Sequence, residues 1–514
     1  MSQSHARHYR TVDAGGRPLR VAGRLTVVVT LLALLIVTSL AANAGNGQRG
    51  DTVREAVPPD RVGKGSRLVF AHYFPPYPIS LDNLDPAADY YSTEYLDPAG
   101  QNGQYSEFGG MLRDRPLPRA PRSAVNWREL DLMQEVSQAS AAGIDGFSVD
   151  ILTPAASDIW VADVPAMLLR AAQLANPNFK IMLMPDMHGD LKTLTPAQLA
   201  GEMAALATSP SAFRLEDGRL VVSPFYAENW PPEAWRAFLH DMKATYGLDV
   251  ALVPVFLEAR EDLIDAYHDF SFGMSAWGGR NPAFNPVSGF PIAAIDKVRS
   301  FDELWMQPVS FQDYRPVQKI YDEAENTTNL RNTWQIAING DADWVQLITW
   351  NDFGEGTAFA PSVQHGTALL ELNAFYAAIY KTGIAPPSAY DRVFVTHRTQ
   401  LVGASQFGRQ SSLATLRAGS VPGRDTVEAL TILTGPAQVT VRVGDQTTVC
   451  DADAGLSVCD AAIGSLDGPE AQVSVQVSRG DRSVLELTSP HKISATPPVQ
   501  DLTYTMSEAR RGSV

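Results

Sequence analysis

Two carboxylates, Asp352 and Glu355, are three residues apart in a segment that reads Trp-Asn-Asp-Phe-Gly-Glu-Gly from Trp350 to Gly356. Cleavage of a sugar acetal needs such a pair beside an aromatic residue, because one carboxyl group protonates the leaving oxygen while the other acts on water or on the sugar ring. The same spacing also occurs where a carboxylate caps the first turn of a helix. The rest of the chain has to decide between these two interpretations.

The residues before this pair predict a buried strand. Val345, Leu347 and Ile348 form a short run of strand formers that stops at a polar, glycine-containing break. Seven similar runs precede it, separated by stretches with helical spacing, and eight such alternations predict a (β/α)8 TIM-type barrel. The predicted strands are 68–74, 144–151, 180–184, 220–223, 250–256, 270–275, 304–309 and 344–349, and the predicted helices are 127–142, 164–175, 196–207, 232–246 and 321–338.

A barrel of this kind places its binding residues just past the carboxyl ends of its strands. Polar and aromatic residues occur at these positions after each predicted strand, which favours a functional role for Asp352 and Glu355. The candidate substrate-binding residues are His72, Tyr73, Asp150, Asp186, Tyr226, Glu228, Trp277, Gln312, Trp350 and Asn351. Several have simpler interpretations: Asp150 as a helix cap, His72 as a core histidine, and the aromatic residues as packing at the barrel rim.

The ends of the chain indicate export. Residues 1–44 contain five arginines, an apolar run over 25–40 and then Ala42-Asn43-Ala44, which is the order of a cleaved signal peptide, or of a membrane anchor if it is not cut. We therefore expect the remaining chain to be secreted or held outside the membrane, after a polar linker over 45–66. The net charge of -16 argues against a nucleic-acid partner and favours a neutral one such as a polysaccharide.

The barrel is predicted to span 67–385, and the pattern then changes. Short runs of strand formers separated by turn residues predict a β-sandwich domain over 386–490, followed by a flexible tail over 491–514. Cys450 and Cys459 are the two cysteines of the chain, and in an exported protein we expect them to form a disulfide rather than a metal site. The sequence contains no local metal-binding motif, although a bound calcium would not require one.

Several of these segments resemble glycoside hydrolase family 71, the endo-α-1,3-glucanases also called mutanases. The similarity extends roughly from residue 67 to residue 397, and its most specific part is the motif that contains Asp352 and Glu355. The last-strand motif is also similar, more distantly, to that of the family 99 endo-α-mannosidases. The matching segments are Leu68-Val69-Phe70-Ala71-His72-Tyr73, Ala142-Gly143-Ile144-Asp145-Gly146-Phe147, Asp186-Met187 and Ile348-Thr349-Trp350-Asn351-Asp352-Phe353-Gly354-Glu355.

The resemblance implies a barrel followed by a β-sandwich, hydrolysis of an α-linked glucan with inversion, and no obligatory cofactor. It also implies that Glu355 is the proton donor and Asp352 the base. The chain departs from the family at Asp150, where asparagine is usual, and at Trp277, which lacks an acidic neighbour. These departures leave the reaction class intact but bear on specificity, so a hydrolase of α-mannan or another wall polysaccharide is an alternative. A second alternative, from another class, is a wall protein that binds carbohydrate without cleaving it.

Overall fold

The computed structural model describes residues 67–287, 290–386, 389–404 and 407–511. The predicted export segment, 1–44, and the predicted linker, 45–66, lie outside these residues. Within the described ranges, no helix is both long and apolar enough to cross a membrane.

The first half of the structure is a curled parallel sheet with helices between its strands. The strands occur where apolar, β-branched runs were found in the sequence, and all eight of those predicted strands are confirmed. The strands are β1 (Leu68–Tyr73), β2 (Gly146–Ile151), β3 (Lys180–Pro185), β4 (Leu220–Val222), β5 (Val250–Leu252), β6 (Val255–Phe256), β7 (Gly273–Ala276), β8 (Leu304–Val309) and β11 (Trp344–Leu347), paired in the order β5-β4-β3-β2-β1-β11-β8-β7-β6.

The two ends of this strand order, β5 and β6, are neighbours in the chain. Val253, between them, donates its backbone N–H to Val222 of β4 at 2.9 Å, and Leu252 accepts a backbone hydrogen bond from Phe272 at 2.8 Å on the other side. The same extended segment therefore bonds to both edges of the sheet, which curls into a (β/α)-type barrel. The helices are Trp127–Ala141, Val164–Ala175, Pro196–Leu206, Pro232–Tyr246, Glu261–Tyr267, Phe290–Ser300, Thr328–Asn339 and Ala368–Thr382.

Side chains alternate between the two faces of each barrel strand. On β1, Val69, Ala71 and Tyr73 pack into the large apolar cluster shared with the helices, while Phe70 belongs to a separate cluster with Met184 of β3. That second cluster contains residues of β1, β3, β4, β5, β6, β8 and β11, so it fills the barrel interior. The parity of a residue along its strand consequently decides whether its side chain reaches the barrel or the helix layer.

A long loop, residues 74–126, follows β1. Its aromatic residues pack with Phe353, which lies in the loop after β11. A buried ion pair, in which Arg115 donates to both oxygens of Asp89 at 2.8 and 2.5 Å, also holds this loop together. The loop therefore braces the segment that carries Asp352 and Glu355.

The C-terminal part is rich in antiparallel sheet. Residues of both of its four-stranded sheets, among them Val395 and Val475, meet in one apolar cluster. The predicted disulfide is present between Cys450 and Cys459, and it joins the edge strand of one sheet to the edge strand of the other. The strands are β12 (Arg392–Arg398), β14 (Thr426–Leu433), β15 (Ala437–Val443), β16 (Gln446–Ala452), β17 (Gly455–Ala462), β18 (Glu470–Arg479), β19 (Arg482–Ser494) and β20 (Tyr504–Arg510), with sheet orders β17-β14-β12-β20 and β16-β15-β18-β19.

Two sequence-based predictions are wrong here. The segment 491–514 was predicted to be a flexible tail, but β20 pairs with β12 along its whole length and Tyr504 is buried. The helix predicted over 321–338 begins only at Thr328, because the preceding residues form a small sheet. This sheet consists of β9 (Asp313–Arg315), β10 (Ile320–Asp322) and β13 (Thr415–Leu416) in the order β13-β10-β9.

Candidate functional site

Three predicted site residues lie at the inner positions that end the first three barrel strands. His72 follows Phe70 with the same parity on β1, Asp150 lies on β2, and Asp186 follows Met184 just past β3. All three are almost fully buried. The strand alternation therefore brings one imidazole and two carboxyl groups together at the carboxyl end of the barrel.

The His72 ring lies between Asp150 and an aromatic wall. Its Nε2 is 3.6 Å from Asp150 Oδ2, and the ring meets Trp277 edge-on with a centroid distance of 4.9 Å. Burial, and then the positive charge of Arg280, lower the pKa of His72 to about 3. The imidazole is therefore neutral at ordinary pH and can donate or accept a hydrogen bond.

Asp150 has a carboxyl oxygen, Oδ1, that is buried and has no hydrogen-bond partner among the described residues. Burial raises the pKa of Asp150 well above its ordinary value, and the negative charges of Asp186 and Asp352 add to the shift. Asp186 is better compensated, because its Oδ1 accepts the backbone N–H groups of His188 at 2.7 Å and Gly189 at 3.3 Å. Burial still raises the pKa of Asp186 to about 6.

Asp352 and Glu355 lie in the β11 loop, residues 348–357. Asp352 Oδ1 accepts the backbone N–H groups of Gly354 at 2.9 Å and of Glu355 at 3.0 Å, which fixes the turn between the two carboxylates. The Asp352 backbone N–H in turn donates to Thr349 Oγ1 at 2.8 Å. Burial and the charge of Glu355 raise the pKa of Asp352 well above its ordinary value.

Glu355 is held by a cation. Arg315 Nη1, from strand β9, lies 2.6 Å from Glu355 Oε1, whereas Glu355 Oε2 is buried without a hydrogen-bond partner in the described part of the chain. A second buried guanidinium, Arg280, donates to the backbone oxygens of Trp277 and Gly278, while its Nε and Nη2 have no partner among the described residues. Neither arginine was singled out from the sequence.

The aromatic wall of the site consists of Trp277 and Phe225, with ring centroids 4.5 Å apart. Tyr226 follows Phe225 with a backbone φ of 54°, and its ring stacks on His188 at 5.4 Å. Trp277 and Tyr226 are half-buried, so their rings are partly available to a ligand. Pyranose rings present apolar C–H surfaces that pack on aromatic faces of this kind.

Two other aromatic candidates lie elsewhere. Tyr73 and Trp350 are fully buried in the cluster between barrel and helices, and both hydrogen-bond to Glu135, Tyr73 Oη to Oε2 at 2.9 Å and Trp350 Nε1 to Oε1 at 3.3 Å. Tyr73 has the outward parity of β1, and Trp350, in the loop after β11, packs into the same outer cluster, so neither side chain reaches the barrel mouth. In this structure they support the site from behind instead of lining it.

Asn351 and Gln312 also bind other parts of the protein. Asn351 accepts the Phe74 N–H at 2.7 Å and donates to the backbone oxygens of Phe74 and Tyr77, so it fastens the long loop to the β11 loop. Gln312 Oε1 accepts the backbone N–H of Tyr504 at 2.7 Å and so connects barrel and C-terminal domain. Both side chains use their polar atoms within the protein.

Glu228 lies on the other side of the mouth, after β4. Its Oε1 accepts the backbone N–H of Leu257 at 2.9 Å, and its Oε2 is buried without a partner in the described ranges. Burial raises the pKa of Glu228. Although several carboxylates converge here, no group of three or more metal-ligating side chains in the described residues is arranged to hold an ion.

Comparisons with known proteins place the chain in one enzyme family. A model of glycosyl hydrolase family 71 matches residues 122–506. A glucan endo-1,3-alpha-glucosidase of Schizosaccharomyces pombe is 22% identical over 353 residues, which cover 64% of this chain and 78% of that protein. A mutanase of Penicillium rubens is 24% identical over 365 residues, covering 65% and 76% respectively.

Among solved structures, the GH99 endo-alpha-mannosidase of Bacteroides thetaiotaomicron aligns with a TM-score of 0.47 at 13% sequence identity, covering 62% of this chain and 98% of that one. The family 71 match is the informative one, because it spans well over half of the chain and includes Asp352 and Glu355. The chain belongs to glycosyl hydrolase family 71 and is a glycoside hydrolase.

Proposed function

We propose that this protein is an exported hydrolase of α-1,3-glucan that cuts within the polymer by an inverting acid/base mechanism. Asp352 and Glu355 are the proposed catalytic pair, and no cofactor takes part. Two relatives of this chain are named as a glucan endo-1,3-alpha-glucosidase and a mutanase. The proposal applies their named activity to this chain.

The observation that carries the proposal is the position of the two carboxylates. They lie in one loop at the carboxyl end of the last barrel strand, on the same end of the barrel as His72, Asp150 and Asp186. Glycosidic cleavage requires a proton donor and a base that flank the scissile bond, and a concave, partly aromatic mouth can hold the sugar between them. A protein that only binds glycan has no need for two buried carboxylates held in one loop beside the mouth.

The surrounding residues have proposed binding roles. The half-buried faces of Trp277 and Tyr226 pack against sugar rings, and the neutral His72 exchanges hydrogen bonds with sugar hydroxyls. Asp150, Asp186 and Glu228 accept hydrogen bonds from further hydroxyl groups. The net charge of -16 suits a neutral polymer better than an anionic one.

Export is proposed from the N-terminal segment, which acts as a signal peptide or as an anchor that leaves the barrel outside the membrane. One relative of this family is an ascus wall endo-1,3-alpha-glucanase, so a wall polysaccharide is a reasonable target. The C-terminal sheets are proposed to form a β-sandwich that packs against the barrel.

The test is product release from insoluble α-1,3-glucan, α-1,4-glucan and α-mannan, measured by chromatography of the soluble fraction. We expect oligosaccharides from α-1,3-glucan alone, with the β-anomer formed first in a proton NMR time course. Oligosaccharides from α-mannan would replace the substrate assignment, and an initial α-anomer would replace inversion by retention. Retention of polymer in a pull-down without any cleavage would instead support a carbohydrate-binding wall protein.

A further inference from the structure

Arg280, in the loop after β7, uses only one nitrogen of its guanidinium group within the described part of the protein. Its Nη1 donates to the backbone oxygen of Trp277 at 3.0 Å and to that of Gly278. Nε and Nη2 are buried and have no hydrogen-bond partner among the described residues. Their N–H groups lie on one edge of the guanidinium plane and point in parallel, which suits two neighbouring oxygen atoms. Because unpaired donors are costly in a protein interior, this edge indicates a binding role.

The β7 loop, residues 277–285, is held in place by two buried asparagines. Asn281 Nδ2 donates to Asp322 Oδ1, on strand β10, at 2.8 Å. Asn285 Nδ2 donates to the carbonyl oxygen of Gly279 at 3.0 Å. Both asparagine side chains are buried, so these bonds are shielded from water. The arginine between them is therefore carried by a fixed backbone and needs little ordering when a ligand binds.

Unpartnered polar atoms of other site residues occur around Arg280. Glu355 Oε2 and Asp150 Oδ1 are also buried and have no hydrogen-bond partner in the described ranges. Arg280 interacts electrostatically with Glu355 and with His72, whose Nε2 lies 3.6 Å from Asp150 Oδ2. Donors and acceptors without partners thus share one region of the mouth. A hydroxyl group both accepts and donates hydrogen bonds, so a hydroxyl-rich ligand can pair with both kinds of atom.

The charges near Arg280 favour a neutral ligand over an anionic one. Its electrostatic neighbours include the carboxyl groups of Asp313, Asp322 and Glu355, and a second cation, Arg315. A negatively charged ligand would be repelled by these carboxyl groups while it approached the guanidinium. Sugar hydroxyl groups accept hydrogen bonds from a guanidinium without that repulsion. The arrangement therefore fits an uncharged sugar.

The linkage of the proposed substrate decides which hydroxyl groups can meet the free edge of Arg280. In each internal unit of an α-1,3-glucan, C1 and C3 carry the glycosidic bonds, and the hydroxyl groups on C2, C4 and C6 are free. Those on C4 and C6 are neighbours, whereas the one on C2 has no free neighbour on C3. In an α-1,4-glucan the C4 oxygen belongs to the linkage instead. Two parallel donors that bind the C4 and C6 hydroxyl groups consequently distinguish the two polymers.

We propose that Arg280 is a substrate-binding residue that determines linkage specificity, by donating from Nε and Nη2 to the C4 and C6 hydroxyl groups of one glucosyl unit. The inference rests on the proposed function, because it requires a glucan substrate. Neither nitrogen is exposed before binding, so a neighbouring side chain moves when the sugar enters. Trp277 is that neighbour, since its half-buried ring has its centroid 5.4 Å from Arg280 Cζ.

The test combines a change in Arg280 with a change in the substrate. We would measure kcat/KM of the wild type and of Arg280→Met on α-1,3-linked gluco-oligosaccharides and on analogues that lack every C4 or every C6 hydroxyl group. A hydrogen bond from a charged donor corresponds to about ten- to hundredfold in kcat/KM, and we expect the wild type to lose this factor on each analogue. Arg280→Met has no donor and is expected to lose less than about threefold on either analogue, relative to its own rate on the parent oligosaccharide.

The comparison separates binding from a purely structural role. Any effect of a missing hydroxyl group on the reactivity of the sugar is the same in both proteins and cancels. Arg392→Met is the matched control: Arg392, on β12, also has a buried Nε without a partner in the described chain, and it pairs with Glu508 at 2.7 Å. This control is expected to show the full wild-type loss on both analogues.

Three results would count against the proposal. Equal losses in wild type and Arg280→Met on both analogues would mean that Arg280 does not bind these hydroxyl groups. A loss that depends on Arg280 only for an analogue without C2 hydroxyl groups would overturn the linkage argument. If the wild type releases no product from any α-1,3-linked substrate, the proposed function itself fails, and this outcome is read from the wild type alone.

A second variant keeps the test decisive if Arg280→Met does not fold by circular dichroism. Arg280→Lys retains the positive charge but has no pair of parallel donors. We expect it to show the wild-type loss on at most one of the two analogues. The full loss on both analogues in a folded Arg280→Lys protein would contradict binding through the edge formed by Nε and Nη2.

Discussion

Arg315 Nη1 and Glu355 Oε1 are 2.6 Å apart, and this contact joins strand β9 to the loop that carries both proposed catalytic carboxylates. Because Arg315 also holds Asp313, the position of Glu355 depends on residues that a barrel alone would not provide. Arg417, which follows β13 of the C-terminal part, lies 3.6 Å from the same aspartate. The second domain is in this sense part of the site.

Asp150 offers a test of how a third carboxyl group acts beside the pair. Burial raises its pKa well above the ordinary value, which favours the protonated, neutral form. Asp150→Asn replaces one neutral group by another of the same shape, and we expect kcat/KM on the cleaved polymer to stay within about tenfold of wild type. A loss of a hundredfold or more would show that the reaction needs a carboxyl group at this position.

Glu135 is expected to make stability depend on pH. It is fully buried behind the site, and burial raises its pKa from 4.5 to about 8. Below pH 4.5 the group is protonated in folded and unfolded chains alike. Between pH 4.5 and 8 only the unfolded chain releases the proton, so the contribution of Glu135 to the free energy of unfolding falls as pH rises, by at most about 1.4 kcal/mol per pH unit.

The variant Glu135→Gln removes this titration. We predict that the difference in free energy of unfolding between pH 5 and pH 8, from urea titrations, is smaller in the variant than in wild type. Equal pH dependence in the two proteins would mean that Glu135 ionises in the fold as easily as in water.

The buried ion pair at the domain interface is expected to matter for stability. Glu323 is fully buried, and its oxygens accept hydrogen bonds from Arg398 Nη2 at 2.9 Å and from Tyr504 Oη at 2.6 Å. Glu323→Gln leaves the buried Arg398 without its counter-charge and is expected to lower the free energy of unfolding by about 3–5 kcal/mol. The exposed pair Lys492–Glu470, at 2.9 Å, provides the matched control, since Glu470→Gln is expected to change little.

The disulfide closes a short loop, since Cys450 and Cys459 are nine positions apart in the sequence. Constraining a loop of this size in the unfolded chain contributes about 2–3 kcal/mol. We predict that the double variant Cys450→Ser/Cys459→Ser unfolds at lower temperature in calorimetry yet keeps the wild-type kcat at 25 °C, because the bond lies away from the β11 loop. A large fall in kcat would mean that the sheet edges help to shape the site.

The barrel strands could be predicted from the sequence because each is a compact run of apolar, β-branched residues between polar breaks. The sheet β13-β10-β9 could not, since Asp313-Tyr314-Arg315 has no apolar alternation and β13 is distant in the chain from its partner β10. The tail was misjudged for the same reason. Strand β20 is stabilised by its pairing with β12, which the local composition of the segment does not reveal.

The residues of the candidate site also include some that the sequence could identify and some that it could not. Strand parity alone would have separated the inward His72 from the outward Tyr73, so this distinction was available in the sequence. The two arginines could not be identified from the sequence. A buried carboxylate indicates that a cation is nearby but does not indicate which one. Arg315 contacts Glu355 from strand β9, and Arg280 interacts with it electrostatically from the loop after β7; both positions depend on the whole fold.

The central claim is that Asp352 and Glu355 cleave a glycosidic bond, and the most direct test is the rate of oligosaccharide release by Glu355→Gln from the polymer that the wild type cleaves. Glu258→Gln is the control, because Glu258 is an exposed carboxylate at the same end of the barrel. The account predicts a fall of about 10²–10⁴-fold for Glu355→Gln and a rate close to wild type for Glu258→Gln. A Glu355→Gln protein that is folded and still within tenfold of the wild-type rate would contradict it.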